Sequence, residues 1–317
     1  MKSFSLEPIT NEKQAYEYLK QVLHPEGLHC PKCGVALPAD QAPHTRDREP
    51  LVNYRCRECG RVYNLFTATL LQGTRYACQT WVLLLHDFIS GRPTSEIATE
   101  LQLDYGTVLK WRHKLQGTAL DKHITAILSE DDHGEADETY INAGQPGEEK
   151  DNEDDDPPRE RANKARGRGT AENDRPPIIG AVGRESGALR LEVASDAKEE
   201  TLYDFITNTT PEDIILYTDG NRSYQAIEDT PREHLTVKHS EHEFARDADG
   251  DGVNEVHDNT IEGIWVGLKN FLRPFRGLHQ KFLPQYVAMF EWLYNLEEVT
   301  VNFLRMLLLP DFTFSPT

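Results

Sequence analysis

The chain of 317 residues has no run of 18 apolar residues, which excludes a hydrophobic helix long enough to span a bilayer. Its first stretch, MKSFSLEPITNEKQAYEYLK, has no apolar core of the kind a secretory signal carries. A cytoplasmic chain with no membrane partner is the expectation. Cysteine is scarce: there are five, four of them in two CxxC pairs, which in an unsecreted chain read as metal ligands rather than disulfides. No Gly-rich phosphate loop and no Ser or Cys nucleophile motif is present, so those chemistries have no carrier. Cations are short as well: 34 Lys and Arg face 53 Asp and Glu, for a formal charge of -19. That balance argues against nucleic acid, because phosphate binding needs cationic surface. Yet Arg outnumbers Lys by 21 to 13, and the acid is unevenly placed. A low-Lys, high-Asp surface suits a salt-rich cytoplasm, where hydrated carboxylates keep a protein in solution. DNA binding there rests on local basic patches and shape, not on global charge.

The length suits two or three domains. Residues 1–24 hold a short amphipathic helix over 11–23, with Ala15, Tyr18, Leu19 and Val22 at helical spacing. Residues 25–70 carry LHCPKCG and YRCRECGRVYN, so Cys30, Cys33, Cys56 and Cys59 form CxxC, 22 intervening residues and CxxC. Each CxxC sits on a tight knuckle that turns two thiolates to one point, and two knuckles give the four sulfur ligands of structural Zn²⁺. A redox dithiol has no need of a matching second pair. Cys78 stands outside this pattern and reads as a small buried apolar residue. Residues 78–118 read as three helices, the last two joined by a tight turn. The final one carries Lys110, Arg112, His113 and Lys114, which suits a DNA-binding helix-turn-helix, the alternative being a three-helix bundle with a basic outer face.

From residue 134 the periodicity changes. Strand, hairpin, helix, strand, strand and two helices follow, the last a long apolar one, which predicts an α/β layer with a mixed sheet over 130–317. A charged insert at about 146–175 interrupts it, first acidic and then basic, with Arg166 and Arg168 in the half that suits phosphate. Three acids stand out: Asp137 inside the first strand, Asp219 at the end of an apolar strand, and Glu262 on a helix. The carboxyl end of a strand in an α/β sheet is a standard place for a site. Carboxylates alone suit hard divalent ions such as Mg²⁺. Two such ions about 3.5–4 Å apart serve both the attacking and the leaving oxygen of a phosphodiester. A second acidic pattern, DADGDGVNEVHD, nearly matches an EF-hand loop, with Asp247, Asp249 and Asp251 as Ca²⁺ ligands. Asn254 stands where an apolar anchor is usual, so an acidic turn is the favoured reading. His239, His242 and His257 read as scattered surface histidines, with His257 nearest the helix that follows.

That helix begins in VHDNTIEGIWVGLKNFLRPFRG, where Asn259, Glu262, Trp265 and Lys269 share one stripe. ADETYI, YTDGNRSY and HDNTIEGIWVGLKNFLR…LPQYVAMFEWLYN resemble the catalytic blocks of zinc-ribbon insertion-sequence transposases of the family numbered fifteen-ninety-five, with a haloarchaeal-type composition. The resemblance covers nearly the whole chain. It implies a multidomain protein: zinc ribbon, helix-turn-helix and a ribonuclease H-like catalytic domain with a DDE triad. It matches the triad to Asp137, Asp219 and Glu262, binding Mg²⁺ or Mn²⁺ as two ions, with Lys269 facing phosphate. Asn259 stays open as an alternative third ligand, because branches of the family use an Asn near that position. The function implied is binding of terminal inverted repeats, DNA cleavage and strand transfer. Double-stranded DNA, a homodimer or higher synaptic complex, and nucleoid association follow from it. A DNA-binding regulator with an inactive nuclease-like domain, and a nuclease without strand transfer, are the rival readings.

Overall fold

The structure, a computed structural model, describes residues 3–7, 9–122, 128, 130–144, 169–237, 245–247, 252 and 254–312. The chain forms two compact units, Met1–Lys122 with Leu296–Thr317, and His123–Asn295. No helix among the described residues is long and apolar enough to cross a membrane.

In the first unit, α1 spans Glu12–Leu23 and buries Ala15, Leu19, Val22 and Leu23 on one face. The Asn11 side chain caps it by accepting from the Gln14 N–H at 3.0 Å. Two short strands, β1 (Tyr54–Arg55) and β2 (Val62–Tyr63), pair antiparallel. Helix α2 (Cys78–Ile89) has no side-chain cap of its own. The Glu12 carboxylate of α1 accepts the Cys78 and Gln79 N–H groups instead, each at 2.8 Å. Cys78 is buried, and burial pushes its thiol up to about 12, so it is the inert small residue the sequence suggests.

Helices α3 (Thr94–Glu100) and α4 (Tyr105–Asp121) follow, joined by a short turn. The capping position of α3 is Pro93, which makes no side-chain cap bond. Thr94 Oγ1 accepts from Arg112 Nε at 3.0 Å. Arg112 is fully buried, and its guanidinium lies 4.7 Å from the centre of the Phe88 ring. It also donates to the Arg92 carbonyl. This corrects its placement on a DNA-facing surface: Arg112 ties α4 to α3 and α2 from within.

The expected long C-terminal helix is two helices. The first, α7 (Leu283–Asn295), ends the second unit, and α8 (Val301–Leu308) belongs to the first. Thr300 opens α8 by accepting from the Phe303 N–H at 3.1 Å. Phe303, Leu304, Met306, Leu307 and Leu308 are buried where α8 packs on α1 and α4. The Leu70 N–H donates to the Leu308 carbonyl at 2.8 Å. The second unit thus closes at Asn295, short of the 317 expected from sequence.

The second unit is built on a five-stranded mixed sheet with strands β3 (His133–Tyr140), β4 (Pro177–Gly183), β5 (Leu189–Val193), β6 (Ile215–Asp219) and β7 (Glu233–Val237). Their order is β5-β4-β3-β6-β7. The first three form an antiparallel meander, and β6 and β7 add in parallel beside β3. Strand β7 ends at Val237, and 238–244 lie outside the described residues. One face packs Ala136, Ile179, Ala181 and Leu216 against Leu202, Phe205 and Ile206 of helix α5 (Glu199–Thr209). The other face carries α6 (Asn259–Leu272) against β3 and β4. Helix α7 seals the β5 edge: buried Glu291 accepts the Leu191 N–H at 2.6 Å, and the Asn295 amide pairs with both backbone groups of Leu189.

Candidate functional site

The alternation of β3 decides which acids meet α6. Glu135 and Asp137 share the α6 face, whereas Ala136 and Glu138 point to the α5 side. Glu135, which the sequence does not single out, is fully buried at the N-terminus of α6. Its carboxylate accepts the Thr260 and Ile261 N–H groups at 2.8 and 3.0 Å and the Thr260 hydroxyl at 2.9 Å. Arg184 Nε donates to it at 2.8 Å, and His257 Nδ1 lies 3.3 Å away. Glu135 thus caps α6 from outside the helix, where the N-cap residue Asp258 makes no side-chain cap bond. The positive end of the helix and the guanidinium together compensate the buried charge.

So anchored, α6 turns Trp265 inward. The buried indole Nε1 donates to Asp137 Oδ2 at 2.7 Å. Gly180, the register partner of Asp137 on β4, makes room for that ring. A Cβ at Gly180 would lie 2.6 Å from Trp265 Cη2 and 2.9 Å from Leu191 Cδ2. Asp137 itself is half-buried, and burial pushes its carboxyl up to about 7. The charges of Glu138 and Asp219 push the same way, and the Trp265 N–H pulls it back.

Asp219 ends β6. In the parallel β3–β6 ladder the last paired residues are Glu135 and Tyr217, and Asp137 and Asp219 each lie two residues further on. Asp219 Oδ1 accepts from the Asn221 N–H at 3.1 Å. Below the rim on the α5 side, Glu138 takes a 2.8 Å bond from the buried Tyr224 hydroxyl. Asn259, Glu262 and Lys269 are exposed on α6. Glu262 lies one turn before Trp265, and so flanks the Asp137 contact. The three acids are not drawn into one closed group. Among the described residues, Cys30, Cys33, Cys56 and Cys59 alone gather as three or more metal-binding side chains. Asp137 and Asp219 are neighbours, and Glu262 stands out in solvent.

The donor chemistry at the sheet suits a hard cation. All three side chains offer oxygen only. The ribbon suits zinc. Its four sulfurs lie within 4.8 Å of one another, with Cys30–Cys59 and Cys33–Cys56 at 3.5 Å, near the ~3.8 Å edge of a tetrahedron with 2.3 Å Zn–S bonds. Each knuckle is the same turn: Gly34 and Gly60 donate to the carbonyls of Cys30 and Cys56, with φ of 74° and 71°.

Of the basic residues read from sequence, Lys110 is exposed on α4. Lys114 is exposed too, but its Nζ donates to the Leu70 carbonyl at 3.0 Å and lies 4.6 Å from the centre of the Trp111 ring. Burial of that ammonium lowers its pKa, and Lys110 adds to the effect. Arg166 and Arg168 lie outside the described residues, as do Asp249 and Asp251. Asp247 is described: its Oδ2 accepts from the Gly252 N–H at 2.8 Å, and an Arg246–Val256 bridge joins the two ends of that segment.

A zinc ribbon joined to a mixed-sheet domain with acids on adjacent parallel strands defines the class, and is consistent with a ribonuclease H-like transposase. The chain belongs to the ISXO2-like transposase family: that domain matches residues 130–295, and the transposase zinc-ribbon domain matches residues 10–62. The resemblance noted from the sequence blocks is thereby borne out. The chain is 26% identical over 291 residues to an uncharacterized protein in transposable element ISH50 of Halobacterium salinarum, covering 90% of this chain and 92% of that one. It is 29% identical over 107 residues to an uncharacterized transposase-like protein of Haemophilus influenzae, covering 34% of this chain and 80% of that one. Among solved structures, a pre-cleavage Mos1 transpososome aligns with 70% of this chain and 77% of that one, at 13% identity and a TM-score of 0.22, a level from which nothing is inferred.

Proposed function

We propose that this protein is a DDE transposase that binds the terminal inverted repeats of an insertion sequence and carries out DNA cleavage and strand transfer. The observation that carries the reading is the pair Asp137, inside β3, and Asp219, at the end of the neighbouring parallel β6, on the face bearing α6, in a chain of a transposase family. Asp137, Asp219 and Glu262 are the residues that would hold Mg²⁺ or Mn²⁺, which supplies charge for the attacking and leaving oxygens of a phosphodiester. Asn259, one turn before Glu262, is the competing oxygen donor. Lys269, seven residues after Glu262, offers its ammonium to a DNA phosphate. The zinc ribbon and the α3–α4 pair bind the DNA ends, with Lys110 as the phosphate contact and Lys114 a weaker one because it is tied back to Leu70. Two ends must be held at once, so a dimer or larger synaptic assembly is the working form.

The test uses full-length protein, terminal-repeat DNA and Mg²⁺, with nicks and joined products mapped at nucleotide resolution. A carboxylate brings charge as well as an oxygen, and an amide brings only a dipole. Glu262→Gln is therefore expected to abolish cleavage while end binding in a gel shift survives. Asn259→Ala is expected to slow cleavage only in part, and Lys269→Ala to raise the DNA concentration needed more than it slows the chemistry. Normal cutting by Glu262→Gln with a dead Asn259→Ala transfers the ligand to Asn259. Nicks without joined products favour a nuclease, and end binding without nicks favours a regulator.

A further inference from the structure

The carboxylate of Asp137 is gripped by a side chain distant in sequence. Trp265 comes from 128 residues further along the chain, is 4% exposed, and donates to Oδ2 at 2.7 Å. An indole N–H donates and cannot accept, so it fixes an anion without competing for a cation. The ring cannot slide away. Gly180 lies under it so closely that a Cβ there would sit 2.6 Å from Cη2. The helix that carries it is pinned by Glu135 through two backbone N–H groups and a hydroxyl.

We propose that Trp265 is a positioning residue for metal binding: its indole holds Asp137 Oδ2 and so fixes the direction in which the carboxylate meets a divalent cation. This rests on the reading of Asp137 as a ligand. Hydrogen-bonding partners behind metal ligands typically govern affinity by about 10- to 100-fold. The slot at Gly180 is thus part of the metal site although it carries no ligand atom.

The experiment measures binding, not activity. Zinc-loaded full-length protein without DNA is titrated with Mg²⁺ by calorimetry, as wild type, Trp265→Phe, Asp137→Asn and the control Trp292→Phe, whose indole is buried on α7. Expected are loss of binding in Asp137→Asn, about 10-fold or greater weakening in Trp265→Phe, and wild-type affinity in Trp292→Phe. In parallel, the indole ¹⁵N–¹H signal that disappears in Trp265→Phe should shift on Mg²⁺ addition in wild type and stay still in Asp137→Asn. If Trp265→Phe does not fold, that signal is assigned in the wild type from the ring's contacts with Gly180 and decides the matter. Wild-type affinity in Trp265→Phe, or an unmoved Trp265 signal, while Asp137→Asn has lost binding, overturns the positioning role and leaves Asp137 a ligand. Wild-type binding in Asp137→Asn overturns the ligand reading and the positioning role together.

Discussion

Asp137 carries a stability cost with a definite pH dependence. Its folded carboxyl sits at about 7 against an ordinary 3.8, so between those values the folded state binds more protons than the unfolded one. Stability contributed by this group therefore falls as pH rises from about 4 to about 7 and stays low above. Asp137→Asn keeps an acceptor for the Trp265 N–H and removes the desolvated charge. It is expected to melt higher than wild type at pH 8, with the gain gone at pH 4; a scan of Tm against pH checks this. Gly180→Ala should act on the same contact from below. Its Cβ meets the Trp265 ring on one side and Leu191 on the other, so a loss of about 1–3 kcal/mol is expected. A urea-denaturation cycle with Trp265→Phe should recover part of it, since the smaller ring vacates the slot. At this scale the sequence was partly readable. A glycine inside the apolar run PPIIGAVG signals a close approach, and Glu135 shares a face with Asp137 by simple alternation. What alternation cannot tell is whether an acid faces water or a helix end. Arg112 failed for the same reason: a basic residue in a helix reads as exposed until Thr94 and Phe88 are known to surround it.

The elements were more legible than the residues. Hydrophobic spacing located α1, α2, the α3–α4 pair, the β4–β5 hairpin and α5, because each carries its apolar residues in a local pattern of helical or strand period. The C-terminal helix was misread since the segment is apolar on both sides of Asn295, and the break depends on Thr300 restarting the chain for a different unit. The zinc ribbon was readable outright from CPKCG and CRECG, each glycine supplying the left-handed turn of its knuckle. Its strands are two residues each, too short to stand alone. Chelation of the metal is expected to melt residues 28–65 while the mixed-sheet unit keeps its cooperative transition. Elemental analysis should show one zinc per chain, and a ¹⁵N-correlation spectrum before and after chelator should localise the loss.

For the whole molecule, the return of α8 to the first unit has a measurable weight. Five buried apolar side chains at about 1.5–3 kcal/mol each give a gross contribution on the order of 10 kcal/mol, comparable to the net stability of a domain. A chain ending at Asn295 is therefore expected to lose the first unit's unfolding transition and keep that of the mixed-sheet unit, as calorimetry can resolve. The same connectivity sets a timetable on the ribosome. Domains ordinarily complete themselves in the order they emerge, N-terminal first. Here the unit that begins the chain lacks α8 until the entire sheet unit has been synthesised. If that first unit grips DNA, a nascent chain cannot do so before its catalytic half exists, and a prematurely terminated product has no competent half with which to occupy the ends.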